Sequence, residues 1–160
     1  MHILLFFCIF SFFSCNAQLS KLPKEMPTTA KMSFSEHAGM ANAFKEIKII
    51  GDTLSIKEKK AESSEIENHV GRIELADKRN LYKVFVKNRF DVIKNDKTIN
   101  GPNDRSSEEV RIDLSPNYNL SHFIYYSALN EDNLTRYNAV KSAIFELYEK
   151  YKNKLKKHKQ

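Results

Sequence analysis

Phe44-Lys45-Glu46-Ile47-Lys48-Ile49-Ile50-Gly51-Asp52-Thr53-Leu54-Ser55-Ile56-Lys57 decides the fold class of this chain. Phe44 to Ile50 and Thr53 to Lys57 flank Gly51-Asp52, a pair of the residue types that a primed two-residue hairpin turn accepts. In the second arm Leu54 and Ile56 alternate with Ser55 and Lys57, so one face of the hairpin is apolar and the other wet. Antiparallel pairing is therefore the expectation. Val110-Arg111-Ile112-Asp113-Leu114 alternates in the same way and stops before Pro116, and an aromatic-rich strand is expected from Leu120 to Ser127 after a hairpin loop at Ser115 to Asn119. Val70, Ile73 and Leu75 suggest a strand from about His69, and Met32 to Ser35 suits a short one. Lys57 to Glu65 reads as a solvated turn, and Asn95 to Glu109, with Gly101-Pro102-Asn103, as a long polar loop.

Helical spacing appears twice. Asp77 is placed to cap a helix in which Leu81, Val84 and Phe85 face the core. Near the C-terminus, Leu134, Tyr137, Val140, Ile144, Leu147, Tyr148, Tyr151 and Leu155 recur every three or four residues, an apolar stripe with Asp132 or Asn133 as its cap. The expected body is an α+β domain, an antiparallel sheet of about five or six strands with two helices packed on one face, the longer helix C-terminal.

Charge and composition narrow the classes further. The chain has 160 residues, with 26 Lys and Arg against 20 Asp and Glu, and only four Gly, four Pro and two Cys. Collagen-like and disulfide-scaffold classes are excluded, and a body of this size buries enough surface to need no metal staple. Six lysines lie between Lys150 and Lys159, so the excess positive charge sits in a basic C-terminal helix end, where it meets the negative end of the helix dipole. Without that end the charge is balanced, so nucleic acid is not an expected partner; anionic headgroups are a candidate contact for the lysines.

The N-terminus is different in kind. Ile3 to Phe13 is an uncharged run of eleven residues, too short for the 20 or so a membrane-spanning helix needs and right for the apolar region of a secretory leader. Phe12-Phe13-Ser14-Cys15 resembles the lipobox of bacterial lipoproteins, in which an apolar residue and then a small one precede a cysteine that receives diacylglycerol. The resemblance covers some 18 residues, and the remaining body resembles no characterised family. It implies removal of residues 1–14 as a signal peptide, lipidation of Cys15, and a place at the periplasmic face of a membrane or the outer surface. Residues 15–30, with Pro23, Pro27 and almost no periodicity, read as a flexible tether, and residues 31–160 as one domain. A competing cleavage after Ala17, following Cys15-Asn16-Ala17, would give a soluble secreted protein instead. Cys8, the other cysteine, lies inside the leader, so Cys15 would be the one thiol of the mature chain.

Catalytic patterns are sparse. Ser106 and Ser107 lie beside Asp104, Arg105, Glu108 and Glu109 without a nucleophile-elbow or Ser-x-x-Lys context; Asp104, Arg105 and Ser106 are carried forward as a candidate binding loop. Glu108 and Glu109 are adjacent, so a strand would send them to opposite faces. His69 and His122 with a carboxylate could form a metal site if pairing brought them together, and His69 or His122 with a carboxylate could serve a hydrolytic pocket, but no histidine has a second within helical reach. The glycines are isolated, so no phosphate loop is present. The expectation is a non-catalytic binding or scaffold module with no cofactor, attached through its lipid and open to an envelope protein partner. A small hydrolase and an inhibitor or immunity-type protein remain as alternatives.

Overall fold

The computed structural model describes residues 19–39, 41–94, 106–118, 120–125 and 129–157. Its centre is one six-stranded antiparallel sheet in the order β4-β3-β2-β1-β5-β6. The strands are β1 (Lys31–Ala38), β2 (Ala43–Ile50), β3 (Thr53–Lys59), β4 (Glu67–Arg72), β5 (Ser106–Asp113) and β6 (Ser121–Tyr125). The helices are α1 (Leu75–Lys87) and the longer α2 (Glu131–Lys157), so the α+β expectation, including the C-terminal position of the long helix, holds.

Alternation places every second residue under the helices, and register lines them up across strands. One rung runs Gly71, Leu54, Ile49, Met32, Ile112, His122; the next runs His69, Ile56, Ile47, Phe34, Val110, Ile124. The apolar members of both are buried, and they pack on Leu81, Tyr82 and Phe85 of α1 and Tyr137, Val140, Ile144, Leu147 and Tyr148 of α2. Phe34 meets Phe145 edge to face at 4.9 Å, an arrangement that suits the ring quadrupoles. Gly51 takes φ +61° between β2 and β3, the left-handed backbone that a primed turn asks of its first central residue. At Gly71 a Cβ would lie 2.1 Å from Leu155 Cδ2, so a bare backbone here lets the end of α2 rest on β4.

Several boundaries differ from the sequence reading. β3 continues through Glu58 to Lys59, and β5 starts at Ser106, so part of the expected turn and part of the expected loop are strand. The short strand at Met32 to Ser35 is the eight-residue β1, paired on both sides at the middle of the sheet. Asp77 does not cap α1: Glu74 occupies that position, and the Tyr151 hydroxyl accepts the Glu74 N–H at 2.8 Å. Asp77 sits in the first turn, turned to α2, where Lys150 and Tyr151 donate to it at 2.6 and 2.7 Å. The α2 cap is Asn130, whose side chain accepts the Asn133 N–H at 3.0 Å, rather than Asp132 or Asn133.

Most of the stretch expected as a tether is packed on the domain. Residues 20–30 form a strap laid along α1: Leu22, Pro27 and Ala30 are buried, and Tyr82 donates to the Pro23 carbonyl at 2.8 Å. Asp91 accepts from the Ser20 hydroxyl at 2.6 Å and from the Lys21 N–H at 2.5 Å. Burial of Leu22 and Ala30 provides an apolar reason for the attachment that Pro23 and Pro27 alone do not reveal. Among the described residues no helix is long and apolar enough to cross a membrane.

Candidate functional site

A third rung on the helix-covered face is ionic. It runs Glu67, Glu58, Lys45, Glu36, Glu108 across five strands, each residue two positions beyond a member of the second rung. Four carboxylates on one rung repel one another, and like charges such as Glu36 and Glu108 directly opposite are destabilising. The surrounding elements supply the cations. Lys141 of α2 donates to Glu108 at 2.5 Å, Lys60 lies 3.8 Å from Glu67, and Lys152 of α2 donates to Glu58. Tyr148, one turn before Lys152, donates to the other Glu58 oxygen at 2.7 Å and accepts from Lys152 at 2.5 Å.

Glu58 is only 6% exposed, so this triad is the most deeply set charge of the layer. Burial alone would push the Glu58 carboxyl up; hydrogen bonds from Lys152 and Tyr148 and the lysine charge outweigh it and hold the group below the usual carboxylate value. Burial would likewise pull Lys152 down, but Glu58 and Tyr148 together hold it above the ordinary lysine value. Tyr148 is pushed up to about 12, first by burial and then by its bond to the carboxylate. Near pH 7 all three groups are fixed in one protonation state.

Beside the triad opens a cavity of about 350 Å³ lined by Glu36, Ala38, Ala43, Phe44, Lys45, Lys59 and Lys60 together with the triad itself. Lys45 projects over the Phe145 and Tyr148 rings at 5.1 and 4.9 Å from their centroids, a cation–π setting that orients the ammonium without neutralising it. Among the described residues neither Lys45 nor Lys59 has a carboxylate in ion-pair range. The cavity therefore presents free positive charge over an aromatic floor, with Glu36 in its lining opposite Lys45.

The residues singled out by sequence fall elsewhere or at its edge. Ser106 opens β5 directly opposite Ala38, a lining residue; Asp104, Arg105 and Cys15 lie outside the described residues. Glu108 turns to α2 and Glu109 to the open face, where Arg111 donates to it at 3.0 Å. His69 and His122 stand on β4 and β6, the two edges of the sheet, about 24 Å apart at the usual strand spacing. The metal site that would need both histidines together is not formed. His69 faces Glu67 at 3.4 Å, and His122 donates from Nε2 to the Ile93 carbonyl at 2.9 Å. Burial pushes the His122 imidazole below its ordinary value, against the pull of that carbonyl. Among the described residues no three His, Cys, Asp or Glu side chains gather as metal ligands.

Glu58, Tyr148, Lys152 and Lys45 were missed as a site. The signal for Glu58 was present, because the alternation of Leu54 and Ile56 continues to residue 58, and Tyr148 and Lys152 are four apart on one helix face. The sequence matches no family model, and no curated protein matches it.

Proposed function

We propose that this chain is a lipid-anchored module of a bacterial cell envelope that holds an acidic group of an envelope protein partner at Lys45 and Lys59, without chemical turnover. The observation that carries this reading is the electrostatic state of the cavity. Glu58, Tyr148 and Lys152 satisfy one another and are each displaced away from neutrality, so they are poor proton donors and acceptors at pH 7. Lys45 and Lys59, by contrast, carry charge that no described carboxylate neutralises. A site built to bind needs the second property; general acid–base catalysis needs the opposite of the first. The anchor rests on the leader: eleven uncharged residues followed by Ser14 and Cys15.

Capture from detergent-solubilised native membranes tests both parts. Wild-type protein is expected to retain a partner that Lys45→Met, which keeps the stem over the rings, loses several-fold, and that Cys15→Ala, kept out of the membrane, meets less often in the cell. Hydrolysis of ester, phosphoester or peptide substrates that disappears with His69→Gln would overturn the binding reading in favour of a hydrolase.

A further inference from the structure

The outer side of α1 carries charge that the fold does not use. Arg79, Lys83 and Lys87 are exposed and four residues apart, one outward stripe of three cations. The sole acidic side chain of α1, Asp77, is engaged by Lys150 and Tyr151 on the other side. The strap adds Lys21 and Lys24, both exposed. No described carboxylate is in ion-pair range of any of these five side chains. Lys87 lies in the last turn, where the helix dipole favours it, but like charges spaced four apart repel, so an anionic surface along the stripe would relieve that repulsion. Between strap and helix lies a cleft of about 330 Å³ lined by Lys24, Glu25, Met26, Arg79, Tyr82 and Lys83, cationic apart from Glu25 and floored by Met26 and Tyr82.

Chain length says what that side faces. The strap is fixed as far as Ser20 by Asp91, which leaves five residue steps back to Cys15, at most about 18 Å of fully extended chain. We infer that the strap and the outer side of α1 lie against the membrane, and that Lys21, Lys24, Arg79, Lys83 and Lys87 contact the phosphate-bearing headgroups of anionic lipids. The inference rests in part on the anchor proposed above. It also displaces the lysine-rich end of α2 as the headgroup contact. Arg136 of α2 donates to the Asn88 and Arg89 carbonyls at the strap's end of α1, whereas Leu155 lies on β4, about 29 Å further along the helix. Lys150, Lys152 and Lys154 there are paired with Asp77, Glu58 and Glu74.

The test uses the chain from residue 15 with Cys15→Ser, which keeps every described residue and removes the lipid, so its outcome is independent of whether the anchor exists. Co-sedimentation with phosphatidylglycerol-containing vesicles is expected, falling with salt, and none with phosphatidylcholine vesicles. Lys83→Gln and Lys87→Gln should each weaken binding about fivefold, and the triple Arg79→Gln/Lys83→Gln/Lys87→Gln roughly a hundredfold, one surface lysine being worth about 1 kcal/mol. Lys57→Gln, on the open face of the sheet, should bind as wild type. Equal binding to both vesicle types, no binding to the anionic ones, or the same loss with Lys57→Gln would overturn the inference. Displacement by millimolar glycerol phosphate would also overturn it, assigning the cleft to a free phosphate ester. If the vesicle result holds but the native protein carries no lipid, the anchor fails and the surface stands.

Discussion

Glu58→Gln is expected to lower the free energy of unfolding by about 2–3 kcal/mol, near the lower end for breaking a buried ion pair because Lys152 retains some exposure. The substitution keeps the shape but removes the charge that Lys152 and Tyr148 both address. Lys152 is then left with its ammonium against a neutral amide in a setting where burial already disfavours the charged form. Glu58→Leu combined with Lys152→Met should recover most of the loss, since replacing both partners leaves no unpaired charge. The penalty should depend on pH with a definite sign. The Glu58 carboxyl lies below its unfolded value of 4.5, so its contribution is complete above that value and disappears as pH falls through the native one. Urea unfolding of wild type and Glu58→Gln should accordingly differ most above pH 4.5 and converge as pH falls below that value. A difference under 0.5 kcal/mol that is flat with pH would contradict the assignment of the triad.

A second large effect is expected at Cys15. Thioether-linked diacylglycerol contributes about 0.8 kcal/mol per buried methylene, so two or three chains hold a protein at a bilayer for its lifetime, while one chain holds it marginally. On the proposed anchor, Cys15→Ser removes every chain at once. Cell fractionation should move the protein from nearly all membrane-bound to mostly soluble or unprocessed, because the headgroup contacts of α1 alone are a weak, salt-sensitive attachment. Retention of the variant in a salt-washed membrane fraction would contradict the anchor.

Much of the fold was legible because its elements rest on local periodicity. The stripe from Leu134 to Leu155 is continuous enough to specify α2, and Gly51-Asp52 between two alternating arms specifies the β2–β3 hairpin. β1 was harder. Its Met32 and Phe34 alternate with Ser33 and Ser35, but then Glu36 occupies a core-side position, which breaks the apolar pattern where the ionic layer begins. The same break hid the start of β5 at Ser106 to Glu109 and the end of β3 at Glu58. Polarity at those positions signals a charged rung across the sheet, and only the register shows that Glu67, Glu58, Lys45, Glu36 and Glu108 are neighbours. The strap was read as a tether for a similar reason: two prolines and no period look unfolded, while the Asp91 and Tyr82 bonds that fix it come from residues about 60 to 70 positions away.

The lysines of α2 illustrate the limit of composition. Counted in sequence they form a basic end; in space Asp77, Glu58 and Glu74 from α1, β3 and the loop before α1 neutralise three of them. Among the described residues, unneutralised charge lies at Lys45 and Lys59 and on α1 and the strap, where Arg79, Lys83 and Lys87 are too widely spaced in the chain to register as a cluster. Net charge is additive over a sequence, but the field a surface presents depends on which charges have partners.

Intact mass of the protein purified from its native membrane bears most directly on the whole reading. A polypeptide beginning at Cys15 and heavier by a diacylglyceryl group is the predicted result. A mass matching an unmodified chain that begins at Met1 or at Gln18 would contradict it.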